Sequence, residues 1–387
     1  MSQMPLLPPL GLYIHLPWCV RKCPYCDFNS HEARTGIPEA AYIEALLADL
    51  DFELAGGWAR MRELQSIFIG GGTPSLFSAE SIQRLLRGVR ERISCVAGME
   101  VTLEANPGTL EHGRYLGYRQ AGVNRLSIGV QSFQQDSLVR LGRIHGPEEV
   151  HAAIDSARSA RFESVNLDLM CGLPGQTLAM AGEDVRLAID AAPDHISYYQ
   201  LTLEPNTPFH RQSPRAMPGE DAAADLQAEG RRLLAAAGYR QYEVSAYAHN
   251  GRVCRHNLNY WQFGDYIGIG AGAHGKLTSA PPWQVRRRWR VKRPEEYLRG
   301  AGRRGALSGE SRLDGADLFI EFMMNTLRLK QGFAVALFAE RTGLDEAYLW
   351  GRLANLLERG MLLHEAGTVR TSEAAWLFLD DVVGGLL

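Results

Sequence analysis

Three of the chain's six cysteines fall within eight residues, "CVRKCPYC", at Cys19, Cys23 and Cys26. The C-x3-C-x2-C spacing crowds three thiolate donors into one loop, and clustered cysteines of this kind read as metal or redox ligands rather than as a disulfide framework. Two metal chemistries are open. A tetrahedral zinc site needs a fourth ligand, for which His15 and His31 are the candidates. A four-iron cluster needs only three thiolates if its remaining iron takes a ligand from outside the protein, which would account for the missing fourth cysteine.

Further polar residues recur where strand-like runs end. "GGGTP", Gly70 to Pro74, closes one run, and glycines without a Cβ let backbone approach a ligand closely. Glu104 in "LEANPG", Gln131 in "GVQS" and Asp168 in "NLDLM" close the next three, and Arg143 lies in "LGRIHG". Carboxylates and an amide so placed could hydrogen-bond hydroxyls and an amino group, and Arg143 could pair with a carboxylate. Taken singly, "GGGTP" also reads as a tight turn and the others as helix caps. Their joint placement argues for a site.

The elements that must position these residues are legible as an α/β pattern. Between residues 12 and 202, "LYIHL", "SIFIGGG", "MEVTLEAN", "NRLSIGVQS", "SVNLDLM" and "HISYYQLT" read as six strands, with amphipathic helices such as 39–55 and 79–93 between them. Strands alternating with helices give a parallel sheet, here a partial (β/α)6-type barrel with its chemistry at the strands' C-terminal ends. After a Pro-rich connection, 220–237 reads as a helix, "RQYEVSAYA" as a further strand and "GDYIGIGAGAHGK" as a glycine-rich turn. The expected division is a barrel with its cysteine loop over 1–240, a barrel extension over 241–306, and a small, mainly helical, winged-helix-like domain over 307–387.

Composition narrows the classes of function. With 387 residues, 45% of them hydrophobic, the chain can fill a substantial core. A net charge of −3 provides no general attraction for nucleic acid, so no nucleic-acid partner is expected. The N-terminal residues show no secretory signal and no apolar run reaches the ~20 residues of a membrane span, so the expected location is the cytoplasm.

The cysteine motif, with Tyr25 before its last cysteine, resembles the radical S-adenosylmethionine (SAM) superfamily. Together with "IFIGGGTPSL", "LEANPGT", "GVNRLSIGVQSF", "LGRIHG", "NLDLMCGLPGQT", "YYQLTLEPNT" and "CRHNLNYWQFGDYIGIGAGAHGK", it looks like the coproporphyrinogen oxidase-like branch, and most closely like the HemW family of heme chaperones. The resemblance implies a [4Fe-4S] cluster on Cys19, Cys23 and Cys26. It implies SAM contacts from Tyr13, Gly71, Gly72, Thr73, Glu104, Gln131, Arg143 and Asp168, with Tyr25 and Thr202 as lesser candidates. It assigns no catalytic residue. It also implies heme as cargo, acceptor hemoproteins that include membrane-bound ones, and a homodimer. The oxidases of this branch carry another cysteine two positions after the third, where this chain has Phe28, and a longer N-terminal arm. Oxidative decarboxylation of coproporphyrinogen III is the alternative function, and a zinc-stabilised barrel hydrolase a third that leaves the strand-end residues unexplained.

"HNLNYW", His256 to Trp261, matches the family's HNxxYW heme motif, which makes His256 the candidate heme ligand. Physically, an imidazole beside two aromatics also reads as a packed core corner. Cys254 is a second possible iron ligand or a small buried hydrophobe, and Cys95 and Cys171 read as packing residues. The run "RRRWRVKR", Arg286 to Arg293, reads as a solvated or strand-edge basic face, with propionates, an anionic membrane or a protein partner as alternatives.

Overall fold

A computed structural model describes residues 7–34, 36–59, 61–108 and 113–386. Six strands of the large sheet come first along the chain: β1 (Leu10–Leu16), β2 (Leu64–Gly71), β3 (Cys95–Ala105), β4 (Arg125–Gln131), β5 (Ser164–Cys171) and β6 (His195–Gln200). They pair in that order, every pair parallel, as the six expected runs require. Parallel neighbours need crossovers, and these are the helices Glu39–Ala55, Ala79–Arg92, Pro147–Ser159 and Leu178–Asp190 among others. In the first, Tyr42, Ile43, Leu46 and Leu50 are fully buried at three- and four-residue steps, the stripe that lays this helix against the sheet. Ser78 caps the second by accepting from the Ser81 amide.

The sheet grows at both ends. "RQYEVSAYA" forms two short antiparallel strands, β7 (Arg240–Glu243) and β8 (Ala246–Ala248), beyond β6. On the other side, β9 (Asp265–Ile269) runs parallel to β1, making seven parallel strands, and antiparallel β10 (His274–Ser279), β11 (Gln284–Arg290) and β12 (Leu307–Arg312) complete an open sheet of twelve. This corrects the reading of "GDYIGIGAGAHGK" as a turn alone. Its glycines serve close backbone contacts: a Cβ on Gly268 would meet the His274 carbonyl at 1.8 Å, and one on Gly270 the His15 carbonyl at 2.3 Å.

The C-terminal unit has its own apolar core around Phe319, Phe322, Phe338, Leu349 and Leu353. Helices Gly315–Thr326, Val335–Thr342 and Glu346–Glu358 pack with a three-stranded antiparallel sheet, Phe333–Ala334 beside Thr368–Thr371 beside Leu362–Glu365. Helices with a small sheet in this order are winged-helix-like. Leu307–Arg312, at the expected start of that unit, lies in the large sheet.

Over Arg286–Arg290 the arginine run is not a solvated basic face, whereas Lys292 and Arg293 are exposed. Arg286 and Arg290 are buried on β11, where Arg290 donates to Asp49 (2.9 Å) and Glu53 (2.8 Å), and Arg286 and Arg288 also reach Glu53. Arg287 donates to Glu321 from its Nε at 2.8 Å. Asp49 and Glu53 come from the helix Glu39–Ala55, so the buried charges of Arg286 and Arg290 are neutralised by residues more than 200 positions away. Buried charges persist only when paired in this way.

Candidate cluster and SAM site

The cysteine loop leaves the C-terminal end of β1, the end of a parallel sheet where loops gather. Trp18–Cys19 pairs with His31–Glu32, which closes the loop on itself, and Lys22 ties its middle by donating from Nζ to the Phe28 carbonyl at 2.8 Å. The glycine loop packs directly behind it. The Gly72 amide donates to Leu16 O (2.9 Å) and the Thr73 amide to Trp18 O (2.7 Å). Here the glycines are demanded by the chain itself. A Cβ on Gly71, whose φ is +122°, would lie 2.7 Å from the His15 ring, and one on Gly72 would lie 2.4 Å from the Trp18 carbonyl oxygen.

A cavity of about 330 Å³ lies at the mouth of the sheet. Cys19, Cys23, Cys26, Gly71, Gly72, Thr73, Glu104, Gln131, Arg143 and Asp168 all line it, as does Tyr25. Three expected residues lie off its wall. Tyr13 lies within β1, its hydroxyl 2.9 Å from His15 Nδ1 and its ring stacked on Phe68. Thr202 is exposed just past β6. His256 is buried, with Nδ1 2.8 Å from Ser66 Oγ and Nε2 3.1 Å from the Tyr260 hydroxyl, so the structure does not present it as an iron ligand. Burial and the nearby Arg125 hold its pKa down to about 3. From "HNLNYW" it is Asn257 and Trp261 that reach the cavity. Cys254 is fully buried, its thiol 3.6 Å from Glu100 Oε1, and Cys171 is buried too, while Cys95 is half-buried.

Glu104 accepts from the Gly71 amide at 3.1 Å. Burial, reinforced by the neighbouring Asp168 carboxylate, pushes its pKa up to about 8. Asp168 is raised as well, by burial, and is held by Asn166 (2.7 Å) and Ser127 (3.3 Å). Two carboxyls that resist ionisation in one cavity are poised for a cationic ligand. Gln131, at a left-handed φ of +71° where β4 ends, accepts from the Tyr199 hydroxyl at 2.9 Å. Arg143 sits opposite, 3.8 Å from Cys23 Sγ, donating to Gly129 O (2.8 Å) and Asn106 Oδ1 (2.6 Å). Sequence reasoning misses Asn106. It also donates to Thr73 Oγ1 at 2.9 Å, joining the glycine loop, Arg143 and, through Arg143, the cysteine loop. Its signal was only its place two residues after Glu104.

The donor set fits a cluster better than zinc. His15 is engaged at both nitrogens, by Tyr13 and the Asn29 carbonyl, and His31 through Nε2 alone, by Asn29 Oδ1 and the Lys292 carbonyl. Among the described residues no three His, Cys, Asp or Glu side chains converge on a single ion, the three cysteines included, so neither histidine completes a zinc set with them. Three thiols without a fourth protein ligand, facing a polar cavity, match a cluster with one open iron. Burial pushes the Cys19 thiol up to about 11 and raises Cys26, so binding a metal group must displace their protons.

A radical SAM superfamily profile matches residues 13–188, and a HemN C-terminal domain profile matches residues 313–378. The chain is 48% identical to heme chaperone HemW of Haemophilus influenzae over 98% of each chain, and 48% identical to heme chaperone HemW of Escherichia coli over 97% of this chain and 98% of that one. The chain belongs to the HemW family. This HemW-family chain is also 34% identical to the mouse mitochondrial radical S-adenosyl methionine domain-containing protein 1, over 97% of this chain and 87% of its relative. Its fold is that of coproporphyrinogen III oxidase (HemN) from Escherichia coli, with a TM-score of 0.81 at 22% identity over 98% of this chain and 90% of that one. Membership of the radical SAM superfamily implies a [4Fe-4S] cluster and SAM, and the cavity just described is where this HemW-family chain has residues suited to them.

Proposed function

We propose that this chain is a heme chaperone that holds a [4Fe-4S] cluster on Cys19, Cys23 and Cys26, holds SAM across the same cavity, and carries heme to acceptor hemoproteins, membrane-bound ones among them. The observation that carries the reading is the 48% identity, end to end, with proteins named as HemW heme chaperones. When bound, the cluster and SAM supply one-electron chemistry. The chain's own part would be to place them: lining the cavity, Glu104 and Asp168 would offer carboxylates to the cationic portions of SAM, Arg143 a guanidinium to its carboxylate, and Gln131 and Ser197 hydrogen bonds. The fold supports an oxygen-independent coproporphyrinogen III oxidase as the alternative. Against it stands Phe28, 63% exposed on the cavity rim where the oxidases place a further cysteine.

A cytoplasmic location and a homodimer belong to the same reading, as does the absence of a nucleic-acid partner. Among the described residues no helix is long and apolar enough to cross a membrane. The test is delivery. Heme-loaded protein is mixed with the heme-free form of a membrane-bound heme enzyme in vesicles, and recovery of that enzyme's activity is expected to exceed recovery with free hemin. Equal recovery would remove the chaperone role, and light scattering of the cluster-loaded and cluster-free protein decides the dimer.

A further inference from the structure

A polar layer lies one step below the cavity, under Asp168. Strand register sets Ser127 of β4, Asn166 of β5 and His195 of β6 side by side, and Asp168 follows Asn166 by two residues on the same face of its strand. The inward faces of parallel barrel strands are ordinarily filled by branched apolar side chains. Here Asn166 and His195 are each 1% exposed and Ser127 is 6% exposed. A buried polar layer is costly unless its members are satisfied, and these are satisfied in a single way.

The orientation of the Asn166 amide fixes the rest. Its Nδ2 donates to Asp168 Oδ1 (2.7 Å) and to Ser127 Oγ (2.7 Å), and Ser127 Oγ donates in turn to Asp168 Oδ2 (3.3 Å). Turned over, the amide would set its oxygen against a carboxylate oxygen. Asn166 Oδ1 therefore accepts, from Ser197 Oγ at 3.1 Å and from His195 Nδ1 at 2.6 Å. Burial and Arg125 hold His195 neutral, well below the usual histidine range, so with its proton on Nδ1 the lone pair is on Nε2. The Tyr242 hydroxyl, 2.9 Å away, donates to Nε2 and itself accepts from the Cys254 amide at 3.3 Å. Every hydrogen from Cys254 through Tyr242, His195 and Asn166 thus points toward the Asp168 carboxylate, and bonds aligned head to tail strengthen one another. An amide accepts and donates at different atoms and passes no proton on, so the chain of bonds orients and does not conduct.

Resting on the reading that Asp168 binds SAM, we infer that Asn166, His195 and Tyr242 form a positioning unit for that carboxylate, fixing it from below so that a cationic ligand meets an acceptor already oriented. Asp168 lines the cavity, whereas none of these three residues does, so they act on SAM through Asp168 rather than by touching it.

The test is equilibrium dialysis of SAM against the full-length, anaerobic, cluster-loaded protein and its variants, with affinity expressed per cluster. Asn166→Leu and His195→Leu occupy similar space without a donor, and each should weaken SAM binding about tenfold or more. His195→Asn leaves a void but keeps an N–H where the ring Nδ1 stood, and should stay within about threefold of wild type, a rescue that a packing role would not give. Asp168→Ala should itself bind SAM about tenfold or more weakly, and adding Asn166→Leu to it should cost nothing further, because the carboxylate that Asn166 serves is gone. Should a leucine variant not fold, Tyr242→Phe, which deletes one oxygen, decides: SAM binding about threefold weaker supports the unit, and unchanged binding overturns it. Equal losses from Asn166→Leu with and without Asp168, or wild-type affinity in both leucine variants beside a weakened Asp168→Ala, would overturn the inference and leave the SAM site standing. Wild-type affinity in Asp168→Ala, or no SAM binding by wild type, would remove the reading of Asp168 and the inference with it.

Discussion

Replacing Glu104 with Gln should stabilise the protein without SAM and weaken its hold on SAM, and both effects follow from one carboxyl. The native pKa of about 8 stands about 3.5 pH units above the ordinary value of 4.5, and at 1.36 kcal/mol per unit the gap corresponds to a ceiling of about 5 kcal/mol. Glu104 faces the cavity and is partly open to water, and it shares its burden with Asp168, so roughly half that figure, about 2–3 kcal/mol, is expected. The sign is that of a raised acid. Its contribution is fully present below about pH 4.5 and is lost as pH rises to about 8, because there the unfolded chain has released a proton that the native state retains. Glutamine keeps an acceptor for the Gly71 amide but has no proton to release. In urea without SAM, the variant's midpoint should match wild type near pH 5 and exceed it at pH 8.5 by up to about 1 M, for a slope of about 3 kcal/mol per M. A cationic ligand draws Glu104 into its charged form, so the same variant should bind SAM at least about tenfold more weakly. A Glu104→Gln protein with wild-type stability at pH 8.5 and wild-type SAM affinity would refute the electrostatic account of the cavity.

Other substitutions probe the scaffold around it. Asp49→Ala leaves Arg290 buried with a partner missing and should cost about 3–5 kcal/mol, read as a fall in the unfolding midpoint, while cluster content per folded chain stays unchanged. Gly72→Ala drives a Cβ into the Trp18 carbonyl and should lower both cluster loading and SAM binding, whereas Gly219→Ala, with nothing within 4 Å, should leave both as they are. Asn106→Ala releases Arg143 and Thr73 together and should weaken SAM binding and alter the cluster's visible and EPR spectra. Asn106→Asp, which still accepts from Arg143, should restore most of both, as a merely space-filling role would not require.

What could be read before the structure follows from the range of the interactions involved. The six parallel strands and the helices at 39–55 and 79–93 are written in local periodicity, and the cysteine motif is local too. Strand β9 is not, because its glycines answer to the carbonyls of His15 and His274 across the fold rather than to any local preference. The arginine run misleads for the same reason: its partners Asp49 and Glu53 look like the polar face of an amphipathic helix. His256 sits in a recognisable motif, yet whether its nitrogens are free depends on Ser66, which β2 brings from 190 positions away. Glu104, Gln131 and Asp168 come together on one cavity because the ends of parallel strands converge whatever the loops between them do, and Asn106 escaped notice because its hydrogen bonds join loops.

The central claim is that this SAM-type barrel carries heme rather than making its precursor. The most direct measurement splits one anaerobic, cluster-reconstituted preparation between two cuvettes, one receiving hemin and the other coproporphyrinogen III with SAM and a reductant. Stoichiometric growth of a Soret band in the first, with no protoporphyrinogen formed in the second, is the predicted result. Steady production of protoporphyrinogen would contradict it and make the chain an oxidase despite Phe28.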